Sequence, residues 1–83
     1  ASKGDRMFLD TSTVAITITL PANPTMGDEV WLVDASGDAN SNNITVNPNS
    51  SKINGSAGNV TLNTNRVSKR YAFYNATEGW ISL

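Results

Sequence analysis

The sequence predicts an all-β fold, a small antiparallel β-sandwich or barrel of about seven to eight short strands. Three observations predict it. Val14, Ile16, Ile18 and Leu20 alternate with Ala15, Thr17 and Thr19, the period of two that gives a strand one apolar face. Two near-matching strings, Asn43-Ile44-Thr45-Val46-Asn47 and Asn59-Val60-Thr61-Leu62-Asn63, each alternate an aliphatic residue with Thr between flanking Asn residues. Turn signals recur about every 8–12 residues, and no segment carries helical periodicity. The longest helix-compatible window, 68–77, holds Tyr71, Phe73 and Tyr74 and fits a strand better.

The elements follow in order. Arg6 to Asp10 is the first strand, with Met7, Phe8 and Leu9 as its apolar content. Val14 to Leu20 is the second, ended by Pro21 and Pro24 because proline cannot donate to a ladder. Gly27-Asp28 completes that turn. Glu29 to Asp34 is the third strand, and it is apolar on both faces: Val30 and Leu32 on one, Trp31 and Val33 on the other. Such a strand is central in its sheet, or its Trp31 face meets another subunit. Asp34 to Asn43 has no periodicity and is a loop. Ile44 to Asn47 is a strand stopped by Pro48. Lys52-Ile53 is a short strand that runs into Asn54-Gly55, the strongest short-range hairpin signal. Val60 to Thr64 follows, and then Arg66 to Asn75. Ala76-Thr77-Glu78-Gly79 is a hairpin turn before the last strand, Trp80 to Leu83. The two matching strings are expected to be strands of one sheet. Two copies are too few for a solenoid.

The 83 residues leave room for one domain, 1–83, either a small stand-alone protein or a module of a longer one. A polypeptide this short buries roughly 60–65% of its unfolded surface, so the fold needs further support. There is no Cys and no His, which excludes disulfides and the usual zinc sites and leaves association as the expected stabiliser. Charged residues make up 16% and the net charge is −1, so no strong field recruits nucleic acid or anionic membrane. No apolar stretch approaches the ~20 residues of a membrane helix. Ala1 to Asp5 is polar and lacks the pattern of a signal peptide. No cofactor is expected.

Candidate chemistry is sparse. The loop Asp34-Ala35-Ser36-Gly37-Asp38-Ala39-Asn40 offers oxygen ligands, but it lacks EF-hand spacing and reads as a polar loop making local backbone bonds. Arg66, Lys69 and Arg70 beside Tyr71 and Tyr74 suggest single-stranded nucleic acid. Alternation, however, sends Lys69 with Tyr71 to one face and Arg70 with Tyr74 to the other. Asp5, Asp10, Asp28 and Glu29 could pair for glycoside hydrolysis, yet nothing in their spacing requires it. With nucleophilic triads also missing, no enzymatic activity is expected. Five Asn-x-Ser/Thr sequons, starting at Asn43, Asn49, Asn54, Asn59 and Asn75, are what chance yields in so Asn-, Ser- and Thr-rich a sequence. Trp31, Tyr71, Tyr74 and Trp80 are the interface candidates; the same aromatics could form a sugar-stacking platform or fill the core.

Read in order, Asp10 to Ile16, Gly27 to Val30, the Asn-rich loop Asp34 to Asn43, Ile44 to Pro48, Lys52 to Gly55, Val60 to Asn63, Arg70 to Tyr74 and Gly79-Trp80 form a pattern. It resembles that of small β domains of tailed-bacteriophage virion proteins, in particular baseplate and tail-fibre attachment proteins of contractile tails. The resemblance covers most of the sequence and rests on structural motifs. The sequence is shorter than those relatives and lacks their additional domains. The resemblance implies a homotrimer, a virion location in a tail fibre, baseplate, similar appendage or capsid decoration, other virion structural proteins as partners, and no catalysis. The alternative is a carbohydrate- or receptor-binding domain whose partner is a host surface glycan. Neither reading involves nucleic acid or membrane insertion.

Overall fold

Nine strands lie in two sheets in the computed structural model, which describes residues 2–83. They are β1 (Arg6–Leu9), β2 (Ile16–Thr19), β3 (Glu29–Asp34), β4 (Ile44–Asn47), β5 (Lys52–Ile53), β6 (Ser56–Ala57), β7 (Val60–Leu62), β8 (Ser68–Asn75) and β9 (Gly79–Ser82). The larger sheet has the order β1-β3-β8-β9-β5-β6, and the smaller has β2-β4-β7. The two pack as a small sandwich, which is the fold class expected from the sequence.

The pairing is mixed where antiparallel strands were expected throughout. β1 runs parallel to β3, β2 to β4 and β5 to β9. The polypeptide alternates between sheets: β1 joins one, β2 the other, β3 the first again and β4 the second. Neighbours in space are therefore not neighbours in sequence, and the hairpin rule governs only β5–β6 and β8–β9.

Local chemistry sets the element ends. Val14 is exposed, because pairing of β2 starts with Ile16 N–H donating to Asn43 O. Strand β8 starts at Ser68, because Arg66 sits at φ +63 in a turn. The hairpin β5–β6 turns on Asn54 (φ +50) and Gly55 (φ +79), two left-handed residues in succession as a type I′ turn requires. The matching strings do pair: Ile44 faces Leu62, Thr45 faces Thr61 and Val46 faces Val60. Strand β3 is central in its sheet, between β1 and β8.

The inward faces form one core. The larger sheet contributes Leu9, Val30, Leu32, Ile53, Tyr71 and Trp80; the smaller contributes Ile44, Val46 and Leu62; Leu20 and Ala39 close the ends. Each large side chain buried here stabilises by roughly 1.5–3 kcal/mol relative to exposure. Tyr71 and Trp80 are 1% and 0% exposed. Both were interface candidates in the sequence, and this corrects them: their bulk is spent on the core. Trp80 also meets the Phe73 ring edge-on at 5.5 Å and 70°. The accessible surface is 4564 Å², close to the roughly 4,800 Å² of a compact monomer of this mass.

Gly79 gives a sharp test of the packing. It sits at φ +73, and a Cβ there would run into the Lys52 carbonyl oxygen, which is backbone and cannot swing aside. Gly79→Ala is expected to lower the unfolding free energy by about 2 kcal/mol or more, read as a shifted urea midpoint.

Candidate functional site

Among the described residues, no strand of the smaller sheet covers the outward face of the larger one. Register places its residues in rows. Arg6, Trp31 and Arg70 form one across β1, β3 and β8. Phe8, Val33 and Ser68 form the next. Glu29, Ala72 and Ile81 lie on the other side of the Trp31 row. Leu83, whose N–H donates to Arg70 O, extends that row past β9. None of these side chains is buried, and Phe8 (80%), Leu83 (55%) and Tyr74 (50%) are among the most exposed large hydrophobics.

Trp31 anchors the face. The Arg6 guanidinium lies 4.6 Å from its ring centroid and that of Arg70 lies 5.0 Å away, reaching in from the strands on either side. Glu29 Oε1 accepts the Trp31 Nε1–H at 3.3 Å and stands 3.8 Å from Arg70 Nε. The ring is thus flanked by cations from both neighbouring strands. Beside it, Lys3 pairs with Asp28 at 3.6 Å, across a hollow also lined by Gly4, Arg6 and Gly27. The Asp28 carboxyl is held below the usual range chiefly by the Thr25 backbone N–H.

Of the four aromatic candidates, Trp31 stands on this face and Tyr74 is exposed at the β8–β9 register shift, while Tyr71 and Trp80 lie inside. The basic residues do not converge. Arg70 joins Trp31, Lys69 pairs across from Leu32 on the opposite face, and the Arg66 guanidinium donates to the Ala35 carbonyl. Among the described residues, no three His, Cys, Asp or Glu side chains gather into a metal-binding group. Sequence reasoning did not single out Phe8 as a surface residue. The alternation in Arg6-Met7-Phe8-Leu9 carried that signal, since Leu9 goes inward.

The loop considered for calcium has a different role. Asp34, at the end of β3, is 1% exposed. Its Oδ1 accepts from Thr11 Oγ1 at 2.6 Å and Gly37 N at 3.1 Å. Its Oδ2 accepts from Ala39 N at 3.0 Å and Arg66 N at 2.9 Å. Thr11 Oγ1 spends its single proton on Asp34, so the 2.9 Å contact with Ser36 Oγ is donated by Ser36, and Asp38 N–H adds a second donor. Burial alone would raise the Asp34 carboxyl. The bond from Thr11 and the backbone N–H bonds from Arg66, Ala39 and Gly37 outweigh it and hold the group well below the ordinary 3.8. Both oxygens are committed to donors within the protein, which leaves them poorly placed as cation ligands. The left-handed φ of Arg66 is what aims its N–H at this carboxylate.

A scan against protein-family models finds no match, and a search of curated proteins finds none.

Asp34 makes stability acid-sensitive with a defined sign. A folded-state value below the unfolded one stabilises above about pH 4, and that contribution is lost as pH falls through and below 3.8. Asp10 and Asp28 are lowered too and act in the same direction. The urea midpoint should be level near neutrality and decline below pH ~4. Asp34→Asn should lower the neutral-pH midpoint, because in either orientation its NH₂ would oppose at least one backbone N–H donor (Gly37, or Ala39 and Arg66), and it should flatten the acid decline. A variant as stable as the parent at neutral pH would contradict this account.

Proposed function

We propose that this protein is a non-enzymatic assembly module of a bacteriophage virion, a rigid β domain of a tail fibre, baseplate or similar appendage that associates as a homotrimer. The observation that carries the reading is the uncovered face of the larger sheet, where Phe8, Val33, Ala72, Ile81 and Leu83 surround the Arg6–Trp31–Arg70 row. An apolar sheet face rimmed by polar groups marks a protein contact more often than a solvated surface. Apolar contacts supply area there, and the guanidiniums fixed on Trp31 supply directional donors at low entropic cost. Symmetry then multiplies each contact. The resemblance to virion modules supports the same reading, because its motif residues Gly27 to Val30 and Arg70 to Tyr74 include Glu29 and Arg70 of this face.

The experiment is sedimentation of the parent protein and of Phe8→Asp and Trp31→Ala. The parent is expected at three times 8.8 kDa, and the variants are expected to shift to the single-subunit mass while keeping their far-UV spectrum. A parent that sediments as one subunit at micromolar concentration removes the trimer.

A second reading, glycan recognition, is favoured by a separate cleft. Asn23, Pro24, Asn49, Ser50, Ser51, Phe73 and Ala76 line it. Three of its residues, Asn23, Asn49 and Ser50, hold positive φ without being glycine, and strain of this kind gathers at binding sites. The side chains of Asn23, Ser50 and Ser51 make no hydrogen bond within the described residues. If this reading holds, saccharide binding should fall at least about tenfold in Phe73→Ala and be untouched by Trp31→Ala, as read by titration calorimetry.

A further inference from the structure

The sequence has a single Asn-Gly pair, Asn54-Gly55, and it sits at the tip of the β5–β6 hairpin at the edge of the larger sheet. Asn followed by Gly is the pair most open to intramolecular attack, because no side chain shields the glycine nitrogen. The structure surrounds this pair with four restraints. Gly55 N–H donates to Glu78 O at 2.8 Å, and Asn54 N–H donates to Trp80 O at 2.8 Å. Ser82 N–H donates to Asn54 Oδ1 at 3.1 Å and turns the side-chain amide toward β9. The Glu78 carboxylate lies against Gly55, so close that an added Cβ would stand 2.9 Å from its Oε2.

We propose that Asn54-Gly55 is a deamidation site that the folded protein holds shut through β9. In the reaction the Gly55 amide nitrogen gives up its proton and bonds to Asn54 Cγ. The Cγ–Nδ2 bond of Asn54 breaks, and ammonia leaves with the proton, giving a succinimide. Water then opens either C–N bond of that ring, leaving an aspartyl or an isoaspartyl residue at position 54. In the native hairpin the attacking nitrogen is committed to Glu78 O, and the neighbouring carboxylate opposes its loss of a proton. The target amide is held toward Ser82, and both backbones are fixed in the left-handed region. Ring closure therefore requires the hairpin to leave β9. Only Ile53 and Trp80 are in register between β5 and β9, so this edge can be released by local opening without breaking a longer ladder. The isoaspartyl product lengthens the backbone by one carbon within a turn whose two central residues are both specified, so it cannot restore the Gly55–Glu78 and Ser82–Asn54 bonds together.

The opposite outcome has a physical basis too. A donor on Oδ1, as Ser82 N–H is, would stabilise the oxyanion of the tetrahedral intermediate and speed the reaction in the native state. The full-length protein incubated in mildly alkaline buffer, with and without denaturing urea, decides between them. Peptide mapping with isoaspartyl detection follows position 54 beside Asn63 and Asn65. The expected result is conversion first at position 54 in urea, and at least about tenfold slower conversion there in the native protein. Glu78→Gln should raise the native rate and leave the rate in urea unchanged. A native rate equal to or above that in urea, or faster conversion in urea at Asn63 or Asn65, overturns the proposal. The purified isoaspartyl form should lose amide-exchange protection at Gly55 and Ser82, and retained protection there overturns the undocking of the hairpin.

Discussion

One buried carboxylate sets the geometry of one end of this sandwich. An unpaired aspartate in the interior would be prohibitive. Asp34 is tolerated because four donors from three other segments converge on it: Thr11 after β1, Gly37 and Ala39 in the loop after β3, and Arg66 before β8. These segments are far apart in sequence and have no ladder of their own to hold them. The neighbouring bonds extend the same logic. Asn42 Nδ2 donates to Thr11 O at 2.6 Å, and Asn40 N–H donates to Asn65 Oδ1 at 2.9 Å. In a domain with no disulfide, a fully satisfied polar centre takes the place of a covalent staple.

The centre also bears on the surface. Thr11 lies just past the end of β1, a four-residue parallel edge strand with pairing on one side only. Fixing Thr11 to Asp34 fixes where β1 ends along β3, and with it the register that puts Arg6 beside Trp31 and Phe8 beside Val33. A one-residue slip would send Met7 and Leu9 outward and Phe8 into the core. The proposed docking face thus rests on a constraint at its own end of the sheet. The inner side of the same sheet carries Tyr71 and Trp80, and of the four aromatic interface candidates the two left outside are the one flanked by arginine (Trp31) and the one exposed where the β8–β9 register shifts (Tyr74); Phe8 is a third exposed aromatic.

Much of this was legible in the sequence because it depends on period and turn chemistry. Alternation located β2, β3, β4, β7 and β8, the twin Asn-flanked strings were correctly paired, and Asn54-Gly55 marked its hairpin. Two-sided apolarity in Glu29 to Asp34 marked β3 as central. What the sequence hid is non-local. The parallel pairs follow from a backbone that switches sheets, and no local pattern records that. Nor could spacing separate a core tryptophan from a surface one: Trp80 follows a glycine that brings β9 against Lys52, while Trp31 faces two arginines that reach it only through the register. Asp34 reads as a loop residue at the end of a strand, and its role appears only when Thr11 and Arg66 are brought to it.

Native-state hydrogen exchange at Gly37, Ala39 and Arg66 tests the claim about Asp34 most directly, because these backbone amides lie in irregular segments and are held by its carboxylate. The account predicts that near neutral pH all three exchange together with the core amides of β3 and β8, through global unfolding alone. Exchange of the three at the rates of ordinary exposed loops, while β3 and β8 stay protected, would contradict it.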